Sequence, residues 1–135
     1  MRVLLIDDTP EIAELLSFAL SDHGYEVVAV GFDPAIGDLV AGHQPDALVL
    51  DCSSFDMTEM LFDAVRAHAE YATLPIVLVS DTPEKADASL RRREAKHVLL
   101  IPKPFTGGHI ARALSQLFDE ATANRQSTVA NPPNP

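Results

Sequence analysis

Reactive side chains follow four of the five short apolar runs in this sequence. Asp7 and Asp8 come directly after the first run, and Asp51 follows the third. Ser80 ends the fourth run, and Lys103 stands between two prolines after the fifth. A carboxylate can attack phosphorus, while an ammonium group and a hydroxyl donor stabilise the transferred oxygens. The five side chains therefore predict one site for phosphoryl chemistry, provided that the fold brings them together.

The acidic members of this set also predict a metal ion. Three close carboxylates repel one another unless their pKa values rise or cations join them. An all-oxygen cluster is what Mg²⁺ accepts while it keeps some of its waters, and Mn²⁺ shares that preference. We therefore expect Asp7, Asp8 and Asp51 to hold Mg²⁺ or Mn²⁺. Lys103 would neutralise charge on the transferred group, and Ser80 would donate a hydrogen bond to it.

Each of these residues also has an ordinary structural interpretation when it is taken alone. Asp7 and Asp8 are typical of acids that end a strand before a helix, where they complement the helix dipole. Ser80 is typical of a helix cap, and Lys103 of an exposed turn. Only their joint placement after successive strands favours the chemical interpretation.

The elements that must position these residues can be predicted from hydropathy and from turn residues. Apolar runs rich in Val, Ile and Leu predict five buried strands, over residues 3–6, 25–30, 47–50, 76–79 and 97–101. Five helices are predicted between and after them: from Thr9 and Pro10 to Gly24, from the cap Asp33 and Pro34, over about Met57 to His68, from Thr82 and Pro83, and from Thr106 to about Glu120.

Two of the helices carry further expectations. The first has a predicted packing stripe of Ile12, Leu15, Leu16, Ala19 and Leu20. The fourth has few large apolar residues besides Leu90, so it is expected to be loosely held and to move. Its basic run, residues 91–93, is expected to be a solvated face.

Strand and helix alternate five times, which predicts an α/β fold with a doubly wound parallel sheet and helices on both faces. Strand order 2-1-3-4-5 would make the first and third strands neighbours, so that their carboxylates meet. The predicted domain covers residues 1–120. Residues 121–135 offer almost no apolar surface, so they are expected to form a disordered tail or a truncated linker.

Composition limits the possible partners and location. The formal net charge is -10, which disfavours direct contact with nucleic acid or an anionic membrane. The one cysteine, Cys52, cannot form an internal disulfide, and it is expected to be an inert, buried small hydrophobe. Acids interrupt the first apolar run, and no run approaches membrane-spanning length, so a cytoplasmic location is expected.

Four segments, in order, resemble the receiver domains of two-component response regulators, the CheY-like family. They are the acidic pair Asp7-Asp8, Asp51 after Pro-Asp-Ala-Leu-Val-Leu, Ser80 after Leu-Pro-Ile-Val-Leu-Val, and Lys103-Pro104-Phe105. The resemblance spans residues 2 to about 120. It implies a flavodoxin-like fold in which Asp51 is the phosphorylated residue, and it adds the carbonyl of Ser53 to the metal ligands. It also implies a cis bond between Lys103 and Pro104.

The resemblance implies a signalling domain that assists its own phosphorylation and dephosphorylation and is not otherwise an enzyme. The phosphoryl donor would be a histidine kinase or a histidine phosphotransfer protein. A downstream protein target, or a second copy in a homodimer, would read the face formed by the fourth helix, the fifth strand and the fifth helix.

Four residues depart from the family pattern. They are Phe55 in place of a proline, Glu59 in place of a glycine, Asp81 in place of a small residue, and Leu100 in place of the aromatic residue that rotates on activation. Asp81, Phe55 and Leu100 support an alternative, a pseudo-receiver that binds partners without regulation by phosphorylation. A flavodoxin-like cofactor binder is disfavoured because Asp7 and Asp8 would repel a bound phosphate.

Overall fold

A computed structural model of the protein describes the backbone of residues 1–130 and the side chains of residues 1–123. Strands and helices alternate along it. In chain order they are β1 (Arg2–Asp7), α1 (Pro10–Asp22), β2 (Glu26–Val30), α2 (Ile36–His43), β3 (Ala47–Asp51), α3 (Phe55–Arg66), β4 (Ile76–Ser80), α4 (Pro83–Arg92), β5 (Val98–Pro102) and α5 (Gly107–Ala130). A short 3₁₀ turn at Ala69–Tyr71 precedes β4.

The five strands form one parallel sheet in the order β2-β1-β3-β4-β5, which confirms the predicted topology. Successive residues of β1 point to opposite faces of the sheet. Val3 and Leu5 join a core beneath α1 and α5, while Leu4 and Ile6 join a second core beneath α2, α3 and α4. The register pairs Asp7 with Asp51 at the carboxyl ends of β1 and β3. The candidate site therefore lies where the strand order reverses.

The strands begin and end within one residue of the predicted positions, but two of them are less buried than predicted. Every residue of β3 and β4 is buried. By contrast, β2 and β5 are half-buried or exposed along their length. They are the edge strands, so each has a neighbour on one side only. Hydropathy alone did not distinguish edge strands from central ones.

Three predicted helix limits are wrong. α2 begins at Ile36, because Asp33 Oδ1 accepts the backbone N–H of Ala35 at 2.9 Å in a turn that precedes the helix. α3 covers Phe55–Arg66, two residues earlier than predicted at each end. α5 continues past Glu120 to Ala130, because no glycine or proline interrupts residues 109–130.

The rest of the predicted tail, residues 131–135, lies outside the described residues. The division into a domain of residues 1–120 and a following tail or linker stays a prediction. Within residues 1–130, no helix is both long and apolar enough to cross a membrane.

The predicted packing stripe of α1 is partly wrong. Leu16 and Leu20 are buried in the core, as predicted. Ile12 and Leu15 are 38% and 66% exposed. The helix is rotated so that the row containing Ala13, Leu16 and Leu20 faces the sheet, which turns the neighbouring row outwards.

Candidate functional site

Asp7 and Asp51 form the buried centre of the site. Their side chains are 4% and 3% exposed at the paired ends of β1 and β3. Asp7 Oδ1 accepts the backbone N–H of Thr9 at 2.8 Å. Its second oxygen, Oδ2, is buried and has no hydrogen-bond donor within the described residues. Burial, with a smaller contribution from the Asp51 charge, raises the pKa of Asp7 to about 7.

Lys103 supplies the cation that faces this pair. Its Nζ lies 3.0 Å from Asp51 Oδ1. Burial opposes the charge on Lys103, but the hydrogen bond to Asp51 and nearby carboxylates, including Asp81, raise its pKa above the usual value. The ammonium group therefore stays protonated at neutral pH, and Asp51 has a charged partner inside the site.

Asp8 is hydrogen-bonded to Ser53, in the loop that follows β3. Its two carboxylate oxygens each lie 3.1 Å from the backbone N of Ser53, and the Ser53 hydroxyl donates a further short hydrogen bond to Oδ2. Burial works against ionisation, but these hydrogen bonds lower the pKa of Asp8. Asp8 and Ser53 thus join the loops that follow β1 and β3.

Ser80 lies at the end of β4, paired with Pro102 of β5 next to Lys103. The side chain is 6% exposed, and Oγ accepts the backbone N–H of Thr82 at 3.0 Å. The Thr82 hydroxyl lies 3.2 Å from the same oxygen. The backbone N–H of Lys103 donates to the Ser80 carbonyl at 2.8 Å, which keeps the ends of β4 and β5 together. The Lys103–Pro104 bond is cis, as the resemblance implied.

An open groove of about 630 Å³ extends from the candidate site along α1. Asp51 and Lys103 form its polar end, and Ile12, Leu15 and Phe105 line its apolar part. The two α1 residues that were predicted to pack in the core therefore line the approach to the site. Sequence periodicity did not reveal this, because the stripe on α1 continues without a break from core to groove.

The donor set fits a divalent cation only in part. Among the side chains of residues 1–123, no three from His, Cys, Asp or Glu are arranged to hold one metal ion together. Asp7 and Asp51, however, form a buried all-oxygen pair, and one oxygen of Asp7 has no donor. Such an oxygen suits a hard cation that keeps some of its waters. Both oxygens of Asp8 accept hydrogen bonds from Ser53, so this side chain is the least available of the three carboxylates.

Thr82 contacts the site but was not predicted as a site residue. Its backbone N–H and its hydroxyl both contact Ser80 Oγ. The signal available in the sequence was a second hydroxyl residue two positions after Ser80. Asp81 is exposed beside Ser80, and Leu100 is half-buried in β5.

Cys52 is buried, and burial raises its pKa to about 11, so the thiol stays protonated as expected of an inert cysteine.

Sequence comparison identifies relatives that contain a matching segment, although no family model matches the chain. The chain is 35% identical over 109 residues to the protein-glutamate methylesterase/protein-glutamine glutaminase 2 of Vibrio vulnificus. That alignment covers 77% of this chain and 30% of the relative. The chain spans less than half the length of the curated relatives that it matches.

Structural comparison identifies single-domain matches over most of their length. The chemotaxis response regulator CheY4 of Vibrio cholerae is 27% identical, with a TM-score of 0.67 over 86% of this chain and 97% of that one. The receiver domain of the Pseudomonas aeruginosa sensor histidine kinase PA1611 shares the fold at 20% identity, with a TM-score of 0.66 over 86% and 95% of the two chains. Its crystal structure has a magnesium ion coordinated in the active site cleft.

Proposed function

Because the chain belongs to the CheY-like receiver domains of the response regulators, we propose that it accepts a phosphoryl group on Asp51 with the help of Mg²⁺ or Mn²⁺. The observation that carries the proposal is the buried Asp51 carboxylate, which faces Lys103 Nζ at 3.0 Å and lies beside an Asp7 oxygen that has no donor. A buried carboxylate that lies between an ammonium group and the proposed metal position is suited to phosphoryl transfer. A purely structural ion pair would not need the second carboxylate beside it.

Each side chain has a distinct role in the proposed reaction. An oxygen of Asp51 attacks phosphorus, and the bond from phosphorus to the donor breaks, with its electron pair leaving on the donor. Lys103 neutralises charge on the transferred oxygens. Ser80 Oγ accepts the backbone N–H of Thr82, and its own hydrogen would donate to one of those oxygens in place of the Thr82 hydroxyl.

The metal site of the proposal consists of Asp7, Asp8, Asp51 and the carbonyl of Ser53. A bound Mg²⁺ ion would neutralise charge on the phosphoryl oxygens. Asp7 contributes the oxygen that lacks a donor, and Asp51 contributes the oxygen that does not face Lys103. Asp8 would contribute once its contact with Ser53 opens. The magnesium ion in the cleft of the PA1611 receiver domain supports this part of the proposal.

The proposed donor is a histidine kinase or a histidine phosphotransfer protein in the cytoplasm. The proposed output is a protein contact through the face of α4, β5 and α5, either with a target or with a second copy of the chain. The domain would assist its own phosphorylation and dephosphorylation and would have no other catalytic activity.

One observation favours the alternative, a pseudo-receiver that is not regulated by phosphorylation. The N–H and the hydroxyl of Ser53 bind both carboxylate oxygens of Asp8, which makes Asp8 less available as a metal ligand. Asp81 adds a negative charge beside the approach to Ser80. Both features would slow phosphorylation of Asp51. In a pseudo-receiver, the contact between Asp8 and Ser53 would never open.

Intact mass separates the two functions. We expect incubation with Mg²⁺ and acetyl phosphate to add the mass of one phosphoryl group, and we expect Asp51→Asn to remove that adduct. The matched control is Asp56→Asn, an exposed acid in the first turn of α3. If no adduct that depends on Asp51 forms at high donor concentration, the phosphoacceptor proposal is wrong and the pseudo-receiver stands.

Metal binding is tested separately, with Mn²⁺ as the probe. Binding should broaden the backbone NMR signals of residues 7, 8 and 51–53. Asp7→Asn and Asp8→Asn should each weaken this broadening, whereas Asp56→Asn should leave it unchanged. Equal broadening in all four proteins would contradict the proposed ligand set.

A further inference from the structure

Polar side chains connect α3 to α4 across the face of the sheet. Ser89 donates a hydrogen bond to Glu59 Oε2 at 2.6 Å. Arg93 binds Asp63 with two parallel hydrogen bonds, from Nε to Oδ1 at 2.8 Å and from Nη2 to Oδ2 at 2.9 Å. Arg93 Nη1 also lies 3.2 Å from Glu59 Oε2. The predicted solvated face of residues 91–93 is therefore wrong for Arg93, which is 28% exposed.

A third pair lies at the start of the two helices. Lys85 Nζ lies 5.1 Å from the centre of the Phe55 ring, within the range of a cation–π interaction. The three pairs repeat regularly, since each joins residues thirty positions apart and successive pairs are four residues apart along both segments, with Arg93 directly after the end of α4. We call them the α3–α4 ladder: Phe55 with Lys85, Glu59 with Ser89, and Asp63 with Arg93.

The ladder compensates for the small apolar face of α4. Ala86 and Ser89 are the buried residues of this helix, and Leu90 is half-buried. The sequence predicted a loosely held helix for that reason. The structure shows polar and charged contacts in place of the missing apolar ones. A bidentate arginine–carboxylate pair is directional, so it restricts sliding as well as separation of the two helices.

The ladder also begins at the candidate site. α3 starts at Phe55, two residues after Ser53, whose N–H and hydroxyl bind Asp8. Movement of this loop on modification of Asp51 would therefore shift the first turn of α3. Leu100 occupies the position at which the receiver family has an aromatic residue that rotates on activation. The chain therefore lacks the side chain that usually transmits the change through the fifth strand.

We propose that the α3–α4 ladder holds α4 in place and transmits the state of Asp51 from the β3–α3 loop to the α4 surface. The holding role follows from the contacts alone. The transmitting role rests on the proposed function. Separate experiments test the two roles, so that failure of one is distinguishable from failure of the other.

The holding role is tested by hydrogen exchange of the α4 amides in Asp63→Ala. The matched control is Asp87→Ala, which removes an equal charge from an exposed pair with Arg91 that lies within α4. We expect α4 to exchange about threefold faster or more in Asp63→Ala than in Asp87→Ala, with β1 and β3 unchanged. Equal exchange in the two variants, or equal acceleration throughout the sheet, would overturn the ladder.

The transmitting role is tested with beryllofluoride and Mg²⁺, an analogue of the phosphoryl group on a carboxylate. We expect the analogue to change α4 exchange in the unmodified chain. In Glu59→Gln/Asp63→Ala, it should still shift the NMR signals of residues 51–53 but should leave α4 exchange unchanged. If α4 responds equally in this variant, transmission through the ladder is refuted. If the analogue shifts no signals in the unmodified chain, the proposed function fails, and the transmitting role fails with it.

Discussion

At the scale of single residues, the site depends on a balance between two buried carboxylates and one ammonium group. Lys103 is paired with Asp51, and among the side chains of residues 1–123 none forms an ion pair with Asp7. With a pKa of about 7, Asp7 keeps its proton up to a much higher pH than an ordinary aspartate does. Because a divalent ion must displace that proton, metal affinity is expected to fall as the pH falls below 7.

The raised pKa predicts how Asp7→Asn changes stability without metal. The folded protein binds the Asp7 proton more tightly than the unfolded chain, so this group favours folding at low pH and loses that effect as the pH rises from about 4 to about 7. Above pH 7, the ionised carboxylate is buried beside Asp51. Asparagine cannot ionise, so we expect the variant to be more stable by about 1–3 kcal/mol at pH 8 and close to unchanged near pH 4.

Urea denaturation at the two pH values, with a chelator present, measures this difference. Adding Mg²⁺ at pH 8 should stabilise the unmodified protein more than Asp7→Asn. A stability difference that does not vary with pH would contradict the raised pKa of Asp7.

At the scale of elements, α1 and α5 meet closely beneath the site. A Cβ added at Gly107, the first residue of α5, would lie 2.2 Å from Ala19 Cβ on α1. That distance is far shorter than van der Waals contact, so one of the two helices would have to move. The sequence showed Gly107 and Gly108 only as weak helix formers. The structure distinguishes them, because Gly108 has an ordinary contact of 3.6 Å with the Thr106 hydroxyl.

Substituting each glycine by alanine tests this packing. Gly107→Ala should destabilise the fold by about 1–3 kcal/mol, because overpacking outweighs the gain in helix propensity. Gly108→Ala should be neutral or more stable by up to about 1 kcal/mol. Chemical denaturation of both variants gives the comparison, and Gly107→Ala/Ala19→Gly should recover part of the loss. Equal stability of the two single variants would refute the close contact.

At the scale of the whole molecule, Arg66 organises the end of the sheet opposite the site. Its Nη1 donates to the carbonyls of Tyr71 and Leu74, each at 2.8 Å, before β4. Its Nη2 donates to the carbonyls of Lys96 and His97 before β5, at 3.1 and 3.2 Å. Burial lowers the pKa of Arg66 to about 10, so the guanidinium is still charged at neutral pH.

Removing this guanidinium should destabilise the protein without affecting the site. Arg66→Met removes the guanidinium donor from four carbonyls, of which those of Tyr71 and His97 keep a backbone donor, and we expect a loss of about 2–4 kcal/mol in the free energy of unfolding. Arg112→Met is the control, because Arg112 is an exposed residue on α5. Mn²⁺ broadening at residues 51–53 should persist in folded Arg66→Met. Loss of metal binding at unchanged stability would contradict a purely structural role.

The sequence by itself determined the alternation of strands and helices and the residues at the carboxyl ends of the strands. These features depend on local periods and turn residues, and a parallel sheet follows because the strands alternate with crossover helices. The strand order 2-1-3-4-5 was one of two common orders for such a sheet, and the structure decided it. It also predicted that the carboxylates after the first and third strands would meet. In the structure, Asp7 and Asp51 are paired at the ends of β1 and β3.

Only the tertiary structure decided how side chains from different elements are paired. It turned Asp8 towards Ser53, bound Arg93 to Asp63, and rotated Ile12 and Leu15 out of the core towards the groove. These outcomes depend on the separation and rotation of packed elements. Hydropathy along one segment carries no information about that geometry, because each contact joins residues that are far apart in the chain.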